Sequence, residues 1–323
     1  MKNIDIHSHM LHSSSIEQLG GEINQIENSP LYAINVLGKK VAPMPKGFFD
    51  TDARISEIAE MGIEGQIISP THHLFMYDKD ASSAAKSARI QNEGISRVCS
   101  EHSGRFAGNA TLPMQDAKHA LDELEYAYSK LEMKGIEIGT NINGRNLDDE
   151  SLFPVYERAQ ELGMPIFVHP NDFMAKERLS KYYMGIVVGT LAETTVAVSS
   201  LLLGNVFGKF QKLKMVFCHG GGAIPYQIGR LQHAVDIREE LKDANVDISK
   251  GIRNILFDSV VFTPEALDFL IKETGEDNVV LGTDYPFNMG NWNSAKDLQN
   301  LSTISETTRN KVMLENTKKL YGL

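Results

Sequence analysis

Ile4-Asp5-Ile6-His7-Ser8-His9 is an apolar run that ends in two histidines. Its alternation reads as a strand, and residues two apart on a strand share a face. By that period His7 and His9 point the same way, with Asp5 one step deeper on the same face and suited to a structural hydrogen-bonding role. The pattern recurs along the chain. Pro165-Ile166-Phe167-Val168 runs into His169, Met215-Val216-Phe217-Cys218 into His219, and Val279-Val280-Leu281-Gly282-Thr283 into Asp284. Each of these polar residues closes a short apolar stretch of buried-strand character.

Strand-like segments fall at 3–8, 64–69, 106–112, 134–139, 165–169, 214–219, 254–259 and 278–283, with helix-like segments between them. Residues 52–61 place Ile55, Ile58 and Ala59 on one helical face and stop at Gly62. Residues 151–162 do the same with Leu152, Val155, Ala159 and Leu162 before Gly163. Thr263-Pro264-Glu265 reads as a helix N-cap, a first-turn proline and an acidic first turn. Eight strands alternating with helices predict an α/β fold, a (β/α)8 TIM barrel formed by a single domain over 1–323. Residues 10–51 interrupt the rhythm with Gly20-Gly21, Pro30, Pro43 and Pro45, and are expected to be a loop or small insertion over the active site. The connection 170–204 is also long.

Composition narrows the function classes. The 323 residues carry a net charge of −10, which argues against nucleic acid and anionic membrane surfaces as partners. No stretch of about 18 uninterrupted apolar residues predicts a membrane span. Cys99 and Cys218 lie far apart, so no disulfide framework is implied. The chain enters its first strand without a leader pattern, and a cytoplasmic location is expected. Cys218, within an apolar run, reads as a small buried core residue.

In a (β/α)8 barrel the strand C-termini converge on one mouth, where chemistry sits. Imidazoles and a carboxylate gathered there make a site for a divalent ion such as zinc, with manganese or cobalt as alternatives. His7, His9 and His169 read as ligands. His219, followed by Gly220-Gly221-Gly222, suits a general base or acid acting on a metal-bound water. Asp284 suits ligation, proton transfer or both, with Tyr285, Pro286 and Phe287 as pocket wall. Arg230 is a candidate clamp for a substrate carboxylate. His72 and His73, just after the second barrel strand, also fall near the mouth.

These residues resemble the amidohydrolase superfamily and, within it, the zinc-dependent decarboxylases of the 2-amino-3-carboxymuconate-6-semialdehyde decarboxylase family. The matching motifs span most of the chain: Ile4-Asp5-Ile6-His7-Ser8-His9, Thr111-Leu112-Pro113-Met114-Gln115, Leu152-Phe153-Pro154-Val155-Tyr156, Phe167-Val168-His169-Pro170, Ala192-Glu193-Thr194-Thr195, His219-Gly220-Gly221-Gly222 and Leu281-Gly282-Thr283-Asp284-Tyr285-Pro286-Phe287. The resemblance implies zinc held by His7, His9, His169 and Asp284, and a water-activating His219. It implies non-oxidative decarboxylation of a small unsaturated or aromatic carboxylic acid through addition of a metal-bound hydroxide. It also implies a homodimer in which Arg230 reaches the neighbouring active site. The chain departs from the family where a carboxylate-binding arginine is expected: no arginine occurs between His9 and Arg54, and Lys39, Lys40 or Lys46 is the available substitute. Ile186 stands in place of a family tryptophan, and His72 and His73 in place of small or apolar residues. The same ligands also suit a hydrolase or hydratase of a lactone, amide or enol acid. A non-catalytic binding protein needs no water-activating histidine.

Overall fold

The apolar runs form strands because β-branched and aromatic residues pack well on a pleated surface, and Gly, Pro or polar residues cut each run short. The computed structural model describes residues 1–242 and 246–323. In chain order the strands are β1 Ile4–His9, β2 Glu22–Gln25, β3 Tyr32–Val36, β4 Lys39–Met44, β5 Gly65–Ser69, β6 Phe106–Thr111, β7 Gly135–Gly139, β8 Ile166–His169, β9 Met215–Phe217, β10 Ile255–Asp258 and β11 Val279–Val280. Among the described residues, β1 and β5 to β11 form one parallel sheet in the order β1-β5-β6-β7-β8-β9-β10-β11. Backbone bonds from Ile6 N to Leu281 O (2.8 Å), Asp284 N to His7 O (2.8 Å) and His9 N to Tyr285 O (2.7 Å) join its two edges. The sheet is therefore a closed (β/α)8 barrel.

Side chains alternate between two apolar layers. Ile67, Phe167, Val216, Leu256 and Val280 pack together inside the barrel with Ile4 and Ile6. Their strand neighbours Ile68, Ile166, Val168, Met215, Phe217, Ile255, Phe257 and Val279 pack against the helices. The helices begin and end where local chemistry dictates. Asp50 accepts from Ala53 N at the start of Thr51–Glu60, and Thr263 accepts from Ala266 N ahead of Pro264. Gly163 adopts φ 68° after Phe153–Leu162.

Strand β1 departs from strict alternation. Asp5 pairs with Gln66 and Ser8 pairs with Ile68, so three steps on β1 match two on β5. This bulge places Asp5 and Ser8 on the helix side and turns both His7 and His9 inward. The period-two reading had put Asp5 on the histidine face. Instead Asp5 Oδ2 accepts from Gln66 Nε2 (2.8 Å) and Thr283 Oγ1 (2.6 Å), and Oδ1 accepts from His7 N and Thr283 N (both 3.0 Å). Asp5 thus ties β1 to both neighbours at the seam, and burial pushes its pKa up to about 6 against those hydrogen bonds.

Residues 10–51 contain a helix, Ser13–Gln18, and the antiparallel sheet β2-β3-β4. Ile16, Ile34, Val36, Val41, Phe48 and Phe49 form a separate apolar cluster, against which Phe287 packs. Gly185–Leu203 is long and apolar enough for a membrane span by length and composition. In the fold its Ala197, Val198, Leu201 and Leu202 are buried against the barrel. Ile186, Val187 and Val188 are exposed.

Arg54, on the first long helix, is fully buried behind β1. Its Nε donates to Gln66 Oε1 (2.8 Å). One terminal nitrogen donates to His9 O (2.9 Å) and Gly47 O (3.3 Å), and the other to Ser8 Oγ (2.8 Å). The guanidinium also lies 4.8 Å from the Tyr285 ring centroid. Removing it strands several buried acceptors, each of which is costly to leave unpaired. Arg54→Ala is expected to lower unfolding stability by about 3 kcal/mol or more, read as a fall in the urea midpoint. An unchanged midpoint would contradict this account.

Candidate functional site

His7, His9, His169 and Asp284 are buried together at the C-terminal mouth of the barrel, with one donor atom of each within 4.8 Å of the others. Each imidazole is tethered through Nδ1. His7 Nδ1 lies 2.5 Å from Asp258 Oδ2, His9 Nδ1 3.0 Å from Pro70 O, and His169 Nδ1 2.9 Å from Pro170 O. Carbonyl and carboxylate oxygens only accept, so in each neutral ring Nδ1 carries the hydrogen and Nε2 presents a lone pair. His7 Nε2 and His9 Nε2 then approach to 3.1 Å. Asp284 Oδ1 stands 3.2 Å from the first and 3.4 Å from the second. His169 Nε2 is buried with no hydrogen-bond partner among the described residues. Converging lone pairs repel unless a positive charge sits among them. Three imidazoles and a carboxylate are the donor set expected for a divalent cation, so the residues fit a metal site.

Electrostatics give the same answer. Burial opposes charge on His7, but Asp284 and Asp258 outweigh it and push its pKa up to about 10. A proton there meets the same need as a cation. His9 is held below its ordinary value by burial, and His169 well below, so both rings are neutral. Burial would raise Asp284, yet His7 and the neighbouring histidines hold it well below the carboxylate range.

His219 lies beside this cluster. Its Nε2 is 3.5 Å from Asp284 Oδ2, and its Nδ1 is 3.3 Å from Cys218 Sγ. Burial keeps the Cys218 thiol protonated, which makes it a poor metal ligand and fits the core reading of that residue. Burial lowers the His219 pKa, but the Asp284 hydrogen bond and charge outweigh it and leave it raised. His219 and Asp284 both adopt left-handed backbone, φ 55° and 58°, a conformation uncommon for residues with a side chain. The three glycines after His219 have a visible reason. A Cβ on Gly221 would meet the Phe257 ring at 2.4 Å, and one on Gly222 would meet Leu191 O at 2.4 Å.

Two participants escaped the sequence reading. Asp258 ends β10, and within the predicted strand 254–259 it drew no attention. It holds His7 with one oxygen, and with the other accepts from Gly220 N (2.9 Å) and Val260 N (3.1 Å), joining the His7 ring to the His219 turn. A carboxylate closing an apolar strand was the available signal. Glu137 on β7 is fully buried, with its Oε1 3.6 Å from His9 Nδ1. Burial holds its carboxyl well above the carboxylate range, so it is neutral.

The remaining candidates separate. A cavity of about 460 Å3 opens over Asp284, His219 and His169 and is lined by His72, His73, Ile186 and Phe287 among others. Burial pushes the His73 pKa down to about 4. Tyr285, expected in the wall, turns away instead. It is buried, and its hydroxyl donates to Glu57 Oε2 (2.6 Å) behind the barrel rim. Lys46 does not reach the site, because it pairs with Asp50 at 3.0 Å on the surface. Lys39 pairs with Asp78 at 3.8 Å, and Lys40 is exposed. Arg230 is exposed on the helix Ile224–Ile237 and does not line this chain's cavity.

A family model described as Amidohydrolase matches residues 4–323. The chain belongs to the amidohydrolase family. It is similar to the 2-amino-3-carboxymuconate-6-semialdehyde decarboxylase of Dictyostelium discoideum, at 34% identity over 99% of this chain and 91% of that one. The amidohydrolase fold is shared with the crystal structure of 5-carboxyvanillate decarboxylase from Sphingomonas paucimobilis, with a TM-score of 0.85 at 22% identity, covering 99% of each chain. It is also shared with a dihydroxybenzoic acid decarboxylase from Polaromonas sp. that holds manganese and the inhibitor 2-nitroresorcinol. There the TM-score is 0.80 at 24% identity, covering 99% of this chain and 97% of that one.

Asp258→Asn is expected to weaken metal binding about 10- to 100-fold, measured by competition with a chromophoric chelator. Because the metal-free site holds a proton on His7 up to about pH 10, metal loading near neutral pH should release about one proton. Binding should therefore tighten as pH rises towards that value. Calorimetry in buffers of different ionisation enthalpy reads this directly, and a buffer-independent heat would contradict it.

Proposed function

We propose that this amidohydrolase is a metal-dependent carboxy-lyase that removes CO2 without oxidation from a small unsaturated or aromatic carboxylic acid. The observation that carries the reading is the convergence of His7, His9, His169 and Asp284 beside His219 at the floor of a largely apolar cavity. The decarboxylase names of its relatives support the reaction type. His7, His9, His169 and Asp284 would hold a divalent ion, which when bound neutralises substrate charge and lowers the pKa of water. We take zinc as the ion on the strength of three imidazole donors. The manganese in the Polaromonas enzyme makes that metal the competing outcome of metal analysis.

Decarboxylation breaks the bond to the carboxylate carbon and leaves its electron pair on the substrate, where one proton must arrive. His219 Nε2 and Asp284 Oδ2, 3.5 Å apart, are the pair that carries it. They hold one proton drawn from solvent and deliver it to the carbon that has lost CO2, so that the carboxylate and one solvent proton become the C–H product and CO2. Asp258 keeps His7 in one tautomer, and through Gly220 N keeps the His219 turn in place. The apolar wall excludes bulk water from the departing carboxylate.

Around the cavity, Tyr182, Tyr183, Val187, Val188 and Phe262 are exposed apolar residues. Tyr226, 84% exposed, lies one turn before Arg230 on the same helix face. We read this surface as a homodimer interface that brings Arg230 of the partner subunit to the neighbouring cavity. The β2-β3-β4 sheet, whose apolar cluster supports the cavity residue Phe287, is read as a cover over the site. The free cysteines Cys99 and Cys218 are in keeping with the reducing cytoplasm.

His219→Ala is expected to retain the metal and lose about 10²- to 10⁴-fold in turnover, followed as CO2 release from a panel of muconate-type and hydroxybenzoate-type acids. Full activity would remove His219 from the chemistry. Ring opening or water addition without CO2 would replace the carboxy-lyase reading by the hydrolase or hydratase one. Arg230→Ala should raise KM, and mixing it with a metal-site variant should restore part of the activity through mixed dimers. A fully active monomer would end the shared-site reading.

A further inference from the structure

A second cavity, of about 660 Å3, lies at the opposite end of the barrel from His219 and Asp284. Its wall is built where the chain enters β6 and β7. Arg105 stands immediately before β6, and Lys134 immediately before β7. These strands are parallel neighbours, and Lys134 N donates to Gly108 O (2.9 Å), so both cations fall at the same N-terminal rim. Lys130 follows the helix Ala117–Ser129, and Lys318 comes from the last helix, Asn316–Tyr321. Between these charges the lining is largely apolar, with Ile4, Phe106, Leu131 and Met133.

None of the four cations forms an ion pair or a side-chain hydrogen bond among the described residues. Elsewhere on this acidic chain such groups are engaged: Arg89 with Glu123, Arg158 with Glu125, Lys272 with Asp268 and Lys311 with Asp277. Arg105 is the sharpest case. It is half-buried, and its Nε is shielded from solvent without an acceptor among the described residues. A buried guanidinium N–H is costly to leave unmatched, and a ligand oxygen would match it. Helix ends account for part of the clustering. Ala81–Glu101 and Ala117–Ser129 both finish here, and a helix C-terminus, with about half a negative charge, favours a nearby cation. Those partial charges, with Glu132 and the chain end at Leu323, offset only part of the four positive charges, and neither Glu132 nor Leu323 pairs with any of them.

We propose that this cavity is a binding site for a small organic phosphate, with its apolar body against Phe106, Leu131 and Met133 and its phosphoryl group held by Arg105 and the lysines of the rim. A phosphoryl group is close to doubly charged near neutral pH and presents three strong acceptor oxygens. It can meet a guanidinium fork and ammonium groups together, where a monoanion leaves charge unmatched. The site is separate from the metal cluster and independent of the reaction assigned to it.

Calorimetry on the metal-loaded, full-length protein tests this with phenyl phosphate as the probe. Phenyl sulfate, of the same shape with a single charge, and inorganic phosphate, without the apolar body, are the comparisons. Phenyl phosphate should bind about 10-fold or more tightly than either, and its affinity should fall as salt rises. Arg105→Ala and Lys134→Glu should each weaken it about 10-fold or more, and Arg105→Lys should recover part of the loss. Lys118→Glu makes the same charge change on an exposed residue outside the cavity and should leave affinity within about twofold. Metal content and thermal midpoint serve as folding controls. Binding that survives Arg105→Ala and Lys134→Glu, and disappears when the metal is removed, places the anion at the catalytic mouth and overturns the proposal. Absence of binding overturns it too, as does inorganic phosphate or phenyl sulfate binding as tightly as phenyl phosphate.

Discussion

Three lone pairs and a carboxylate oxygen aimed at one point are the constraint on which the rest of the molecule depends. Left alone, His7 Nε2, His9 Nε2, His169 Nε2 and Asp284 Oδ1 repel one another inside a low-dielectric barrel. They stay together because each ring is tied from behind, by Asp258, Pro70 O or Pro170 O, and because a positive charge resolves the repulsion. Rings tethered in this way are oriented towards the centre before any ligand arrives, as a metal site requires. The cost of assembling it is carried by the strand ladder and the two apolar layers of the barrel.

The ties run outward through buried polar groups. Asp258 links the His7 ring to the glycine turn that carries His219. Asp5 closes the seam between β1, β5 and the segment that follows β11, through Gln66 and Thr283. Arg54 holds the β1 bulge from the helix side through Ser8 and His9 O. The bulge is central here, because it turns His7 and His9 inward while Asp5 and Ser8 face the helices. Without the extra residue, one histidine-bearing stretch could not serve both the metal cluster and the seam.

Much of this was legible in the residues. The eight apolar runs, with their Gly, Pro and polar boundaries, mark all eight barrel strands to within a few positions, since buried parallel strands are short and strongly apolar. His7, His9, His169, His219 and Asp284 stood out because several such runs close on a histidine or an aspartate, and strand C-termini converge on one barrel mouth. Asp258 closes one as well, but a single aspartate after Ile255-Leu256-Phe257 has the same local appearance whether it points to solvent or to a histidine distant in the chain. Tyr285 misled for a related reason. Its neighbour Phe287 does line the cavity, but the turn after Asp284 sends the tyrosine ring under Arg54.

The order and type of the barrel elements, and the identity of the residues at the strand ends, were therefore set by the chain itself, because hydrophobic periodicity and turn chemistry are local; the β2-β3-β4 sheet within 10–51 was not read from the sequence. The tertiary structure alone decided the tautomers, the inward turn of both β1 histidines, the burial of Arg54 and Glu137, and the exclusion of Lys46 from the site. Each of these depends on a partner dozens to hundreds of residues away, or on a one-residue shift in register between paired strands. Contacts of that kind exist only once the barrel has closed.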